Sequence, residues 1–155
     1  MANIPDSVAA FLQGRRFAVA GVSRQSGQAA NAVFKKLKQS GYEVFPVNPK
    51  ASEVEGTTCY PDIRSVPGRL DGVVIATSPE ASVQVVHQCA DCHVPRVWFH
   101  RSFGNGSVSD TAVAACASRN ISRIVGGCPL MFCEPVDVGH RCMRWWLQWQ
   151  GRVPK

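Results

Sequence analysis

The sequence predicts an α/β fold: a doubly wound parallel sheet of five strands with helices on both faces. Two observations carry that reading. Short apolar runs alternate with stretches of helical spacing along most of the chain. The runs are apolar throughout rather than on alternate residues, as expected of strands covered on both faces. Strands and helices in that alternation imply right-handed crossovers within one sheet.

Each element has its own signal. Ser7 to Leu12 reads as a short leading helix. Arg16-Phe17-Ala18-Val19-Ala20-Gly21-Val22 is an apolar run broken by glycine, a buried strand. Ala29 to Ser40 places Ala30, Val33, Phe34 and Leu37 at helical spacing, with Gly41 suited to the C-terminal cap. Tyr42 to Val47 is a second strand, and its Pro46, lacking a donor, belongs at a sheet edge or strand end. Thr57 to Pro67 is turn-rich, and Leu70 to Thr77 is the clearest strand. Ser78-Pro79-Glu80 opens a helix whose inner stripe is read as Val83, Val86 and Ala90. Pro95 to Phe99 is the fourth strand, Ser107 to Asp110 a capping box for a helix reaching Arg119, and Ile121 to Val125 the fifth strand. A Trp-rich helix at about 139–150 ends the pattern, with Cys142, Trp145, Trp146 and Trp149 on one side. Three readings stay open for it: docking on the domain's own core, a homodimer interface, or stacking on single-stranded nucleic acid.

The 155 residues correspond to one domain spanning 1–155. Apolar residues at 45% and charged residues at 18% exclude a disordered chain. No apolar run approaches the roughly 20 residues of a membrane span. The opening residues show neither a basic region nor a long apolar stretch, so a cytoplasmic location is expected, with the seven cysteines reduced. The net charge of +6 is spread along the chain. That balance alone fits nucleic acid, an anionic cofactor or no charged partner comparably well.

In such sheets ligands bind beyond the carboxyl ends of the strands. The first such loop, Gly21-Val22-Ser23-Arg24-Gln25-Ser26-Gly27, is neither G-x-G-x-x-G nor a P-loop. Its place before a helix makes it an anion site or a structural turn. The second strand ends in Asn48-Pro49-Lys50, where an NAD site would carry Asp or Glu for the ribose. A cation there suits an additional phosphate, leaving NADP or coenzyme A open beside a plain turn. The loops at 76–80, 100–107 and 126–133 complete the rim.

Other patterns exclude chemistry. Cys89-Ala90-Asp91-Cys92-His93 spells a haem-attachment signature, but it closes an amphipathic helix, which also argues against a thioredoxin-type pair. Cys128, Cys133, His140 and Cys142 have a spacing that matches no common zinc pattern, so no metal site is expected. Cys128, following Gly126-Gly127, reads as a packed cysteine or a redox-sensing thiol. No nucleophile elbow or carboxylate pair appears, so no catalytic residue is assigned.

Several pieces taken together resemble a known family. They are Phe17-Ala18-Val19-Ala20-Gly21-Val22-Ser23, Gly41-Tyr42-Glu43-Val44-Phe45-Pro46-Val47-Asn48-Pro49-Lys50, Thr58-Cys59-Tyr60-Pro61-Asp62-Ile63 and Leu70 to Thr77. In order and spacing they resemble the small stand-alone CoA-binding proteins. These are Rossmann-type domains related to the CoA-binding domain of the succinyl-CoA synthetase alpha subunit. Trp98 to Ser107, Gly127 to Phe132 and Asp137 to Arg141 resemble one subgroup. The resemblance implies non-catalytic binding of coenzyme A or an acyl-CoA, in a carrier, sensor or regulatory role. It implies that Gly21, Val22, Ser23, Arg24 and Gln25 hold the pyrophosphate. It implies that Asn48, Pro49 and Lys50 meet phosphate at the adenosine end, and that Ala76, Thr77, Ser78 and Pro79 line the adenine and ribose side. The expected partner is a small nucleotide-type ligand, with a homodimer through the last helix, rather than a membrane or nucleic acid. The alternative reading is an NADP-linked oxidoreductase, or a redox sensor working through Cys128.

Overall fold

Strands and helices follow one another as the spacing predicts. The computed structural model describes residues 4–101 and 106–154. Helix α1 (Asp6–Leu12) leads into β1 (Arg16–Ala20), α2 (Ala29–Gln39) and β2 (Glu43–Val47). A small hairpin of β3 (Glu53–Val54) and β4 (Thr57–Thr58) follows. Then come β5 (Gly72–Ile75), α3 (Pro79–Asp91), β6 (Arg96–Phe99), α4 (Asp110–Ser118), β7 (Ser122–Val125) and α5 (Val138–Trp149).

Five strands form one parallel sheet in the order β2-β1-β5-β6-β7. The fold is a Rossmann-like α/β sheet. The chain lays β2 on one side of β1, then returns to place β5 on the other side. The strand order therefore reverses between β1 and β5, which is where a crevice opens in folds of this kind. Helices α1, α2 and α5 cover one face through Val8, Phe11, Val33, Phe34, Leu37 and Leu147. Helices α3 and α4 cover the other through Val85, Val86, Cys89, Ala112 and Cys116. Trp98 of β6 is fully buried, edge-on to Phe11, and donates its indole N–H to the Gly126 carbonyl at 2.9 Å.

Pro46 lies on an edge strand, as its missing donor requires. Glu43 and Val47 bond toward the β1 side, through Glu43 N–H to Arg15 O and Gly21 N–H to Val47 O. Pro46, between them, faces the outer side, where its carbonyl accepts from Tyr60 N–H at 2.9 Å and no N–H of its own is needed for the β1 ladder.

Four local readings need correction. The buried stripe of α3 is Ser82, Val85, Val86 and Cys89, with Val83 and Ala90 only half-buried. Ser82 fits inside because its hydroxyl donates to the Pro79 carbonyl at 2.6 Å, so its polarity costs little. The cap of α4 is Ser109, whose hydroxyl accepts from Ala112 N–H. Ser107 is buried instead, with its hydroxyl 2.6 Å from the Ile75 carbonyl and 2.9 Å from the His100 carbonyl. The turn-rich stretch begins earlier than the composition suggests. The β3–β4 hairpin turns on Glu55-Gly56, both at positive φ, as a two-residue hairpin requires.

The fourth correction concerns α5. Trp145 and Trp149 do not dock on the core. Leu147 and Arg144 do, with the guanidinium stacked 4.8 Å from the Phe132 ring centre. Trp145 and Trp149 lie on the opposite side, 70% and 79% exposed.

Candidate functional site

The glycine after β1 decides how closely the strand ends approach. Gly21 has φ +101°, and a Cβ there would overlap the Ala76 carbonyl group. Its N–H donates to the Val47 carbonyl, and Ala76 N–H donates to the Ala20 carbonyl. The ends of β2, β1 and β5 are thereby held side by side at the point of strand reversal.

A crevice of about 570 Å³ opens above them. That is within the range of small-molecule sites. Gly21, Asn48, Pro49, Ala76, Thr77 and Ser78 from the sequence reading line it. So do residues the sequence reading missed, chiefly Gln84 and Gln88 of α3 and Pro61. Helical spacing carries the signal for the glutamines: they fall one turn and two turns beyond the Ser78-Pro79-Glu80 opening. Gln88 is already engaged, since its side-chain oxygen accepts from Ile63 N–H at 3.1 Å. The lining contains no acidic residue.

The other expected site residues stand around that crevice rather than on its wall. Val22 is fully buried in the core. Ser23 is half-buried, and Arg24 and Gln25 are exposed on the loop before α2. Lys50 is exposed just beyond Pro49, and Pro79 is the first residue of α3.

Two side chains set the loops. Asn48 donates from its amide to the Val22 carbonyl at 2.7 Å and accepts from Lys50 N–H at 2.8 Å. It ties the loop after β1 to the loop after β2. Asn31, in the first turn of α2, is 1% exposed. Its oxygen accepts from Ser23 N–H at 2.8 Å, and its amide donates to the Ser23 carbonyl at 2.7 Å and to Glu55 at 3.0 Å. The sequence reading missed Asn31, because a polar residue in a helix reads as solvent-facing.

Helix α3 begins at this crevice, and α2 begins beyond the loop that follows Gly21. The α2 cap, Gln28, makes no side-chain capping bond. Ser78 caps α3 through its hydroxyl, which accepts from Ala81 N–H at 3.3 Å. Helix starts carry partial positive charge, so the mouth favours an anion.

The remaining rim differs in character. His100 sits past β6, and burial lowers the pKa of its ring below the ordinary histidine value. Ser102, Phe103, Gly104 and Asn105, also singled out in the sequence, lie outside the described residues. Cys128 is 3% exposed and packs in the core with Met131 and Phe132, the packed-cysteine reading rather than the open thiol a sensor needs. Burial pushes the Cys133 thiol up to about 11. No group of three metal-ligating side chains occurs among the described residues. No helix of the described residues is long and apolar enough to cross a membrane.

Comparison with known proteins gives a consistent match. The profile described as CoA binding domain matches residues 15–134. Over 90 residues the chain is 34% identical to the ADP-forming acetate–CoA ligase II of Archaeoglobus fulgidus. That alignment covers 57% of this chain and 13% of the ligase, so the chain spans a small part of the enzyme it matches. A hypothetical protein from Pyrococcus horikoshii OT3 superposes with TM-score 0.73 at 25% identity, over 83% of this chain and 93% of that one. An acetyl-coenzyme A synthetase from Ca. Korarchaeum cryptofilum, solved with phosphate and ADP, superposes with TM-score 0.60 at 25% identity, over 72% of this chain and 25% of that one.

Proposed function

Because the chain belongs to the CoA binding domain family, we propose that it binds coenzyme A or an acyl-CoA, without itself catalysing a reaction, in the crevice above β2, β1 and β5. It acts as a carrier, sensor or regulatory subunit built on one domain. The observation that carries this reading is the acid-free crevice at the strand reversal, with the start of α3 on its wall. A ligand rich in phosphate finds partial positive charge there and no carboxylate on the crevice wall; the nearby Glu55 is paired with Lys35 and accepts from Asn31.

In this reading the pyrophosphate lies over Gly21 to Gln25 and the start of α2. The adenine and ribose lie against Ala76 to Pro79, and Lys50 meets the phosphate at the adenosine end. Native mass spectrometry tests it by titration with CoA, acetyl-CoA, NADP and NAD. Saturable binding of CoA is expected, weakened about tenfold or more in Lys50→Glu, since reversal changes a close phosphate contact from attraction to repulsion. Preference for NADP would favour an oxidoreductase instead. Binding of none of the four would defeat the reading.

A homodimer through α5 belongs to the same proposal. Trp145, Trp146 and Trp149 are 70%, 41% and 79% exposed, and Val138 is 74% exposed. At about 250 Å² for a whole tryptophan, the three leave roughly 450 Å² of aromatic surface bare. Two copies would bury about 900 Å² from tryptophan alone, close to the lower bound of a specific interface. Sedimentation velocity should show a concentration-dependent dimer that Trp145→Asp converts to a folded monomer. A wild type that stays monomeric at high concentration refutes it.

A further inference from the structure

The sheet ends at β7 with its outer edge open. Ser122 N–H donates to the Pro95 carbonyl and Gly126 N–H to the Phe99 carbonyl, both at 3.0 Å. In a parallel pair, donors and acceptors alternate between the two sides. Residues 122, 124 and 126 therefore bond toward β6. Arg123 and Val125, between them, turn their backbone N–H and C=O to the side where no further strand lies among the described residues.

That edge borders a groove of about 740 Å³, larger than the crevice above β1 and at a different place on the sheet. Ala10 of α1, Ile124, Val153 and Pro154 give it an apolar lining. Its charges have one sign: Arg96 and Arg123 line it, and no acidic residue does. The two arginines flank the edge from opposite faces. Residue 96 alternates with buried Val97 and shares its face with Trp98, whereas Arg123 shares its face with Val125 above α4. Among the described residues, neither arginine makes a salt bridge.

We propose that this groove is a docking site for an extended acidic peptide segment of a partner protein, which adds to the sheet as a strand beside β7. Main-chain bonds to Arg123 and Val125 hold the segment, and its carboxylates meet Arg96 on one face and Arg123 on the other. Natural proteins usually protect such an edge with proline, a bulge or a covering element. Here residues 122–125 carry no proline; α1 and the 151–154 segment wall the groove beside them, and an edge unpaired among the described residues beside an acid-free groove fits a partner of opposite charge.

The probe is a fluorescein-labelled peptide of eight residues alternating Glu and Val, followed by fluorescence anisotropy with the full chain. Saturable binding is expected. It should weaken about tenfold or more in Arg123→Glu, where attraction becomes repulsion. It should also be lost in Arg123→Pro, which deletes the outward N–H while sparing the β6 ladder. The same peptide N-methylated at alternate residues should fail on the wild type, a measurement that needs no altered protein. Equal binding of a Lys-Val peptide, or of the N-methylated peptide, would overturn the proposal. So would absence of binding, or a wild-type dimer that Arg123→Pro dissociates, which would make a second copy the occupant. CoA titration of the same variants is expected to be unchanged, so failure here is separable from failure of the crevice reading.

Discussion

Replacing Gly21 by alanine tests how the crevice is built. Gly21 sits at φ +101°, where an L side chain is strained, and its Cβ would lie 2.6 Å from the Ala76 carbonyl carbon. The backbone strain costs about 1–3 kcal/mol. The overlap is with main chain, which cannot swing aside, and forcing β1 and β5 apart adds roughly 1–3 kcal/mol. The total is about 4 kcal/mol. Gly27 supplies the control: its φ is +92°, yet a Cβ there would meet nothing within 4 Å. Gly27→Ala should cost the backbone strain alone, about 2 kcal/mol. For a chain of this size each kcal/mol lowers Tm by roughly 2–4 °C. Differential scanning calorimetry should therefore find Gly21→Ala roughly 8–16 °C below wild type and Gly27→Ala only about 4–8 °C below. CoA titration should find that Gly21→Ala loses affinity beyond its loss of stability, since Ala76 to Ser78 form one wall of the crevice. Equal melting shifts for the two variants would refute the argument that Gly21 is there for the approach of Ala76.

Other outcomes follow from the same contacts. Asn31→Ala should destabilise by about 2 kcal/mol in urea denaturation, because it strands the half-buried Ser23 N–H and carbonyl. Asp71 accepts from the N–H groups of Arg15 and Arg16 at 2.8 and 3.0 Å, and these bonds hold its carboxyl below the ordinary aspartate range. A carboxyl whose folded pKa is lowered contributes stability above its unfolded pKa of about 3.9 and loses it as pH falls through the folded value. Asp71→Asn should thus be less stable at pH 7 and show a shallower loss of Tm between pH 5 and pH 2. Among the seven cysteines Cys142 is the exposed one, so native-state labelling with a thiol reagent should modify one residue quickly, and Cys142→Ser should abolish that fast phase. Rapid labelling of Cys128 instead would revive the redox reading.

The sheet was legible because burial on both faces leaves little choice of residue. Phe17 to Ala20 and Val73 to Ile75 are all but inaccessible to solvent, and the sequence there is apolar without interruption. The loops around the crevice were legible from topology, since the ligand face of a doubly wound sheet is set by strand direction. The clamps were not. Asn31 and Ser107 are polar residues buried by partners distant in sequence, Glu55 in one case and the Ile75 carbonyl in the other. Periodicity scores polarity as exposure, and only the fold supplies the partner. The role of the α5 tryptophans stayed open for the converse reason. Their spacing defines a face, but spacing alone does not say which face meets the core. Leu147 and the stacked Arg144 take that role, and Trp145 and Trp149 are left outside.

Asn48 shows why the crevice suits a phosphate-rich ligand better than NAD. A dinucleotide site of the NAD type uses the residue ending the second strand to accept from the ribose hydroxyl groups. Here that residue is an amide with both ends engaged by backbone, at Val22 O and Lys50 N–H. Turning it toward a ribose would break two bonds of 2.7 and 2.8 Å and release the two loops that frame the crevice. Asn48→Asp separates the alternatives. An aspartate accepts from Lys50 N–H but cannot donate to the Val22 carbonyl, and it brings negative charge to an acid-free lining. CoA affinity should fall in that variant, with no gain for NAD. A gain for NAD without loss of CoA would mean that the side chain is free to serve the ligand, and that the loops are held together by something other than Asn48.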